Sequence, residues 1–503
     1  MNPAEWLHRA AQARPGAPAL FDGPVAVSDY AGFARDAAGI GAWLAAQGVR
    51  AADRVALVLP NTLDYLPILF GIWYAGATAV PINAKLHPQE VAWIATHCGA
   101  RLLFAVEEPP LRSAGLAMPI VTPGSAALAG ARTTAPLPAP APMARDDAAW
   151  LFYTSGTTGR PKGALLSCGN LMAMSLAYLA DVDTVSAADA ALYAAPMSHG
   201  AGLYSLVHVL RGARHVLPRS GGFDPAEILE LARGLQNVSM FAAPTMVKRL
   251  VAEAARSGAR GHGIKTVVYG GGPMYVADIK AALAQFGAKF VQIYGQGESP
   301  MTITALPRAD IAASDHPDWD SRLGSVGRAH SVVEVAVLDP DGTPLPAGAI
   351  GEIAVRGPTV MLGYLDNPEA TAQALRGGWL WTGDMGRLDA QGYLTLHDRA
   401  KDLVVSGGSN IYPREVEEAL LTHPDVAEVS VVGQPDAEWG EIVVAFVVPR
   451  GAPPDTATLD TACTARLARF KKPKRYVFVE ALPKNHYGKV LKTELRARLA
   501  ARA

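Results

Sequence analysis

At 503 residues the chain is too long for one ordinary hydrophobic core, and half of it is apolar against 18% charged, so two or more domains with a large buried interior are expected. A net charge of −1 and a pI near 6.9 remove any global electrostatic reason to bind nucleic acid, so an anionic ligand must be held by local sites. Three scattered cysteines (Cys98, Cys168, Cys463) show neither metal-ligand spacing nor a disulfide framework, and no basic stretch followed by an apolar one opens the chain, which together predict a cytoplasmic protein without an export signal. In chain order, the apolar run from Arg54 predicts a strand, 62–74 a helix and 78–82 a second strand, and 91–97 and 102–106 repeat the alternation. Continuous apolar strands separated by helices imply a parallel sheet covered on both faces. The uncharged segment 65–84 is long enough to span a membrane, but Pro67, Gly71, Gly76 and Pro81 interrupt it, so buried helix followed by buried strand is the reading and no integral membrane segment is expected. Residues 107–147, rich in Pro, Ala and Gly, read as an irregular connector between two subdomains.

The apolar run 148–152 then leads into Tyr153-Thr154-Ser155-Gly156-Thr157-Thr158-Gly159-Arg160-Pro161-Lys162-Gly163. Its glycines reach backbone conformations closed to other residues, so N–H groups can converge on one anion, and the hydroxyls and Lys162 add donors. A loop rich in donors and poor in acceptors suits a polyphosphate, with a strand expected before it and a helix from Leu165 after it. It is not a Walker A loop, because Arg160 and Pro161 follow Gly159. The plainer alternative is a Ser/Thr/Gly surface loop.

Downstream, a histidine (His199) sits at a small-residue turn after an apolar strand, and the strand 266–269 ends in Gly270-Gly271-Gly272-Pro273. The strand from Phe290 ends in Tyr294-Gly295-Gln296-Gly297-Glu298. Alternating patterns at 332–338 and 351–357 with an Asp-Gly turn between them predict a small antiparallel sheet or barrel. Thr382-Gly383-Asp384 follows, then a charge cluster, Asp398-Arg399-Ala400-Lys401-Asp402, that reads as a domain boundary, and then Ser406-Gly407-Gly408. The last hundred residues read as helix 413–421, strands 426–432 and 442–449, helix 456–468 and strand 476–479, a small α+β unit ending in Gly488-Lys489. Six of the ten residues 466–475 are basic, which fits either the phosphates of an anionic ligand or a solvated face.

The 153–163 string resembles, nearly letter for letter, the phosphate loop of the adenylate-forming superfamily of acyl-CoA synthetases, luciferases and adenylation domains, and the later motifs are similar to that family's and keep its order from about residue 54 to residue 492. The resemblance implies an α/β fold: a large N-terminal domain, 1–400, of two parallel-rich αβαβα subdomains plus a small β-barrel, and a small mobile α+β lid, 401–503, hinged at about Lys401. It also implies roles. Thr154, Ser155, Gly156, Thr157, Thr158, Gly159 and Lys162 would hold ATP phosphates; Gly271, Gly272, Pro273, Tyr294 and Gly295 would receive adenine; Asp384 and Arg399 would reach the ribose. Glu298 would help hold Mg²⁺, His199 would lie near the acyl carboxylate, Ser406, Gly407 and Gly408 would line the pantetheine channel, and Lys489 would be the catalytic lysine. Two departures stand out, Gly297 where Thr is usual and Asp398 where Gly is usual.

The implied reaction joins a carboxylic acid to ATP as an acyl-adenylate and passes the acyl group to coenzyme A. The stretches 197–210 and 299–306 contain no charged residue, so the expected acid has an apolar tail, fatty or aryl. A dicarboxylate such as malonate would want a second cation, for which Arg211 and Arg249 are candidates. An acyl-AMP ligase loading a carrier protein and a non-catalytic nucleotide or acyl sensor are the alternatives, the latter disfavoured by the presence of both Glu298 and Lys489. Size and family suggest a homodimer.

Overall fold

The computed structural model describes residues 1–154, 161–399, 402–406, 409–485 and 489–501, with the side chains of all of these except 398, 399 and 410. In the first sheet the apolar strands Arg54–Val58, Thr78–Pro81, Leu102–Ala105, Ile120–Val121 and Ala148–Thr154 run parallel, as continuous hydrophobic strands between helices should. Lys162–Ser167 and Gly363–Tyr364 extend this sheet antiparallel at one edge. The apolar helix Tyr65–Tyr74 is buried along its whole length, and among the described residues no helix is long and apolar enough to cross a membrane.

Two expectations fail here for physical reasons. The helix expected from Leu165 is a strand: Lys162–Ser167 pairs with Ala148–Thr154, with Lys162 opposite Thr154. The helix that follows starts only at Cys168, where Ser167 Oγ accepts from the Asn170 N–H (3.1 Å) and Asn170 Oδ1 accepts from the Ser167 N–H (2.8 Å), a reciprocal cap available nowhere earlier in the segment. The described residues on either side of the donor-rich loop are thus paired antiparallel strands, and a strand rather than a helix N-terminus follows it. Nor is 107–147 an irregular connector. It holds the helices Pro109–Ser113 and Ala126–Thr133, the latter capped by Ser125, and the edge strand Ile120–Val121. Leu111, Leu128 and Ala131 are buried, and that burial overrides the turn-forming composition.

The second sheet has nine strands. Pro18–Asp22, Arg214–Leu217, Ala190–Leu192, Val238–Ala242, Ile264–Tyr269 and Phe290–Gln296 are parallel neighbours in that order, flanked by antiparallel Val25–Asp29 at one edge and by Ser299–Leu306 and Arg328–Ala329 at the other. A small antiparallel sheet, Glu334–Leu338, Gly351–Arg356 and Trp379–Leu388 with Leu375–Arg376 and Leu394–Arg399 on its last strand, follows as the alternating pattern predicts. The C-terminal unit packs Pro413–Leu420 and Thr456–Thr464 on one face of a five-stranded sheet. Its other face is covered by Lys492–Ala500, a helix the sequence pattern did not announce, through Leu495 and Leu499. Its two cores contain no residue of the larger sheets.

Candidate active site

The motif residues gather where parallel strands of both large sheets end, the usual crevice for ligands of α/β proteins. Thr154 ends a strand of the first sheet, and Glu298 lies in the tight connection between Phe290–Gln296 and Ser299–Leu306 of the second. Thr154 Oγ1 donates to Glu298 Oε1 at 3.2 Å, and the Tyr364 hydroxyl donates to the same oxygen at 2.7 Å. The Glu298 carbonyl accepts from the Met361 N–H at 2.8 Å. One carboxylate thus ties the two sheets together. Lys162 Nζ lies 5.1 Å from the centre of the Tyr364 ring, so a cation, a carboxylate and two hydroxyls share this spot. Burial and the Glu298 charge push the Tyr364 hydroxyl far above its ordinary pKa, so it stays protonated and keeps donating. Ser155, Gly156, Thr157, Thr158 and Gly159 lie outside the described residues.

A second pair forms beside it. The Tyr294 hydroxyl donates to Asp384 Oδ2 at 2.6 Å, and Gln296 Nε2 donates to the same oxygen at 2.6 Å and to the Thr382 carbonyl at 2.9 Å. Asp384 is thereby fixed in orientation. In the antiparallel ladder it stands opposite Arg399, whose side chain is outside the described residues. Gly271 is exposed and left-handed, φ +79°, with no atom within 4 Å of where a Cβ would sit, so the backbone there presents an open surface against which a flat ring can lie. Gly272 faces only Pro244, at 3.8 Å from its own missing Cβ, and Pro273 is exposed. Gly295 is held close to Met301, whose N would lie 2.5 Å from any Cβ added there.

His199 is half-buried at its turn, with Ser198 Oγ 3.1 Å from Nδ1 and the Phe152 ring edge-on at 5.1 Å. Burial lowers its pKa to about 4, so it is neutral at neutral pH. Phe152 also explains Gly297: a Cβ at 297 would run into Thr154 Cγ2 and come within 2.7 Å of Phe152 Cδ1. The phenyl ring fills the space that a threonine would need. Arg211 donates to the Val185 carbonyl at 2.9 Å and Arg249 lies over the Phe223 ring at 4.9 Å; neither lines the cavity formed beyond the His199 turn.

In the C-terminal unit Ser406 is buried in the strand Val404–Ser406, opposite Gly440, while Lys401, Gly407 and Gly408 lie outside the described residues. Lys489 is exposed, its N–H donating to Asn485 Oδ1 at 2.9 Å and its carbonyl accepting from the Asn485 N–H at 2.8 Å. The unit touches the larger part of the chain just past the glycine run: Tyr275 donates to Glu417 Oε2 at 3.2 Å, and Arg414 Nη2 to the Met274 carbonyl at 3.5 Å.

A hard divalent cation would find one carboxylate here, Glu298, with one oxygen, Oε1, engaged by two hydroxyls. Among the described residues no three His, Cys, Asp or Glu side chains gather as a metal cage. One carboxylate with its second oxygen not taken up by these two hydroxyls is a donor set that suits a Mg²⁺ carried largely by the oxygens of a bound phosphate and of water, so the residues fit. Sequence reasoning missed Tyr364, Gln296 and Phe152. Gln296 lies inside the motif and was legible as a polar residue two places before Glu298. Tyr364 comes to Glu298 only through strand pairing with Lys162–Ser167, which no local pattern encodes.

A model of the AMP-binding enzyme family matches residues 7–365, and one of the AMP-binding enzyme C-terminal domain matches residues 415–489. The chain is 38% identical over 496 residues to a feruloyl-CoA synthase of Amycolatopsis sp, covering 98% of each, and 37% identical over 460 residues to a 2-succinylbenzoate–CoA ligase of Geobacillus kaustophilus, covering 90% of this chain and 89% of that one. Its structure superposes on ATP-bound MatB from Rhodopseudomonas palustris with a TM-score of 0.87 at 30% identity, over 99% of both chains. The chain belongs to the AMP-binding enzyme family, and within it to the adenylate-forming acid–CoA ligases.

Proposed function

We propose that this ligase activates an aryl or fatty carboxylic acid, aryl being favoured because two of its relatives are named for aromatic acids. The observation that carries the site assignment is the meeting of Thr154, Lys162, Tyr364 and Glu298 at the junction of the two sheets, beside the Tyr294–Asp384 pair. In the first half-reaction a carboxylate oxygen attacks the α-phosphorus of ATP and pyrophosphate leaves. Two anions must meet, so the work of the protein is to cancel repulsion and stabilise charge passing to the leaving group. Lys162 and the donors of the 154–162 loop would hold the β- and γ-phosphates, the Tyr294 ring and the open glycine backbone would take adenine, and Asp384 would accept from the ribose hydroxyls. Glu298 would hold Mg²⁺, which when bound neutralises phosphate charge. Neutral His199 would orient the acid without adding a charge.

Lys489 would bridge the acyl carboxylate and the α-phosphate. In the second half-reaction the thiolate sulfur of CoA attacks the acyl carbonyl and AMP leaves, and a lysine at that place would obstruct the approach. Rotation of the C-terminal unit about Lys401 would withdraw Lys489 and bring Ser406, Gly407 and Gly408 to the thiol's path. The Tyr275–Glu417 contact would then exchange for another.

The test is to incubate the protein with ATP, Mg²⁺, CoA and a panel of aryl, fatty and dicarboxylic acids and to follow AMP and thioester together. The expected result is AMP and acyl-CoA in equal amounts with aryl or fatty acids. AMP with hydroxylamine-trappable acyl-adenylate but no thioester would instead favour an acyl-AMP ligase serving another acceptor.

A further inference from the structure

Past the His199 turn the chain forms Gly200–Leu203 and Ser205–Leu210, and a narrow cavity lies between them and the strands Ala190–Leu192, Val238–Ala242 and Ile264–Tyr269. Its volume is about 20 Å³, room for little more than one water-sized group. Two of the side chains that line it each hold a buried polar atom with no hydrogen-bond partner, Tyr204 Oη and His208 Nε2. Tyr204 is 6% exposed and His208 3%. Unpaired polar atoms at that depth are costly, and two on one cavity call for an occupant.

Their chemistry specifies the occupant. His208 Nδ1 lies 2.8 Å from the Tyr204 carbonyl, which can only accept, so the ring proton sits on Nδ1 and Nε2 offers a lone pair. Burial lowers the pKa of His208 and raises that of Tyr204, so the imidazole stays neutral and the phenol keeps its proton to donate. One acceptor and one donor on the same wall match a hydroxyl, which can donate to the first and accept from the second. The surroundings are aromatic: Tyr178 meets Tyr204 edge-on at 4.7 Å, and Phe241 lies 6.4 Å from Tyr204. Ala201 lines the cavity only two residues beyond His199, and Phe241, another lining residue, comes within 3.9 Å of where a Gly200 Cβ would sit, so the cavity lies next to the turn to which the acid's carboxylate is assigned. Leu192, Met240 and Val268, on three neighbouring strands, also line it, and a cavity of this size has no room for a long alkyl chain.

We propose that Tyr204 and His208 are specificity-determining residues that bind a terminal hydroxyl of the acid, so that the preferred substrate is a hydroxyaryl carboxylic acid. This rests on the acid–CoA ligase reading above. The experiment measures kcat/KM for thioester formation with two matched pairs, 4-hydroxycinnamic and cinnamic acid, and 4-hydroxybenzoic and benzoic acid, in the wild type, Tyr204→Phe and His208→Leu. In at least one pair the hydroxylated acid is expected to be preferred by tenfold or more, and each variant is expected to cut that preference about tenfold. A merely structural role would lower both members of a pair together and leave the ratio unmoved. A wild-type ratio near one in both pairs would mean that the cavity holds a trapped water only, and a ratio unmoved in both variants would overturn the residue assignment; in either case the ligase reading stands. No thioester from any of these acids or from octanoic acid would overturn the ligase reading and this inference with it.

Discussion

At the scale of single residues, the site combines side chains whose types the chemistry dictates with others that only packing explains. Glu298, Tyr294 and Asp384 were singled out in the sequence by their place in motifs that resemble the family's, for roles that a carboxylate, an aromatic face and an aspartate would suit, and in the structure Glu298 meets Thr154 and Tyr364 while Tyr294 meets Asp384. Phe152 and Tyr364 were not singled out, because their roles exist only once strands from different parts of the chain are side by side. Gly297 shows the difference most clearly. In sequence it is a missing hydroxyl; in the structure it is the space occupied by the Phe152 ring that also packs edge-on against His199. Gly297→Thr is therefore expected to destabilise the protein by about 1–3 kcal/mol, the usual cost of overpacking. It should also slow adenylation by displacing Phe152 and Thr154. Adding Phe152→Ala should recover part of both losses. Chemical denaturation and pyrophosphate exchange on the single and double variants check this, and full activity and stability of Gly297→Thr alone would show that the ring does not hold that space.

Among elements, the apolar strands, including short ones such as Thr78–Pro81 and Leu102–Ala105, appear where the pattern put them, whereas the segment after Lys162 and the stretch 107–147 do not follow their expectation. The strand Lys162–Ser167 is too short for its period to be distinguished from a helix start, and pairing with Ala148–Thr154 decided it. The first thirty residues carried no recognised motif, yet Pro18–Asp22 joins the second sheet beside Arg214–Leu217. At that seam His215 is fully buried, with the Tyr193 hydroxyl 2.7 Å from Nδ1 and the Tyr30 hydroxyl 3.3 Å from Nε2. Burial lowers its pKa to about 3. Above about pH 6.5, the ordinary value of histidine, folded and unfolded chains are both neutral at this residue. Below it the unfolded chain takes up a proton that the folded chain refuses until about pH 3, so stability falls with pH by up to about 1.4 kcal/mol per unit from this group. Between pH 6.5 and 4.5 the wild type is expected to lose about 2 kcal/mol more than His215→Leu in urea unfolding. Parallel pH slopes for the two proteins would contradict it.

For the whole molecule, two large sheets form the crevice and a smaller unit with its own cores carries Lys489. The resemblance carried by the motifs in their order along the chain made this architecture legible, and those at Thr154, 270–273 and 294–298 lie at or just past the ends of strands, whereas Asp384 lies within one. What remained hidden is how the C-terminal unit meets the rest, since Tyr275, Arg414 and Glu417 are ordinary surface residue types until they touch. The central point is that Lys489 serves the first half-reaction only. The measurement is carboxylate-dependent ATP–pyrophosphate exchange with the preferred acid, run beside CoA-thioester formation from chemically prepared acyl-adenylate, for the wild type and Lys489→Ala. Exchange is predicted to fall by at least two orders of magnitude, about 2.7 kcal/mol or more of transition-state stabilisation, while thioester formation changes by less than about fivefold. Exchange retained in Lys489→Ala, or an equal loss of both half-reactions, would contradict it.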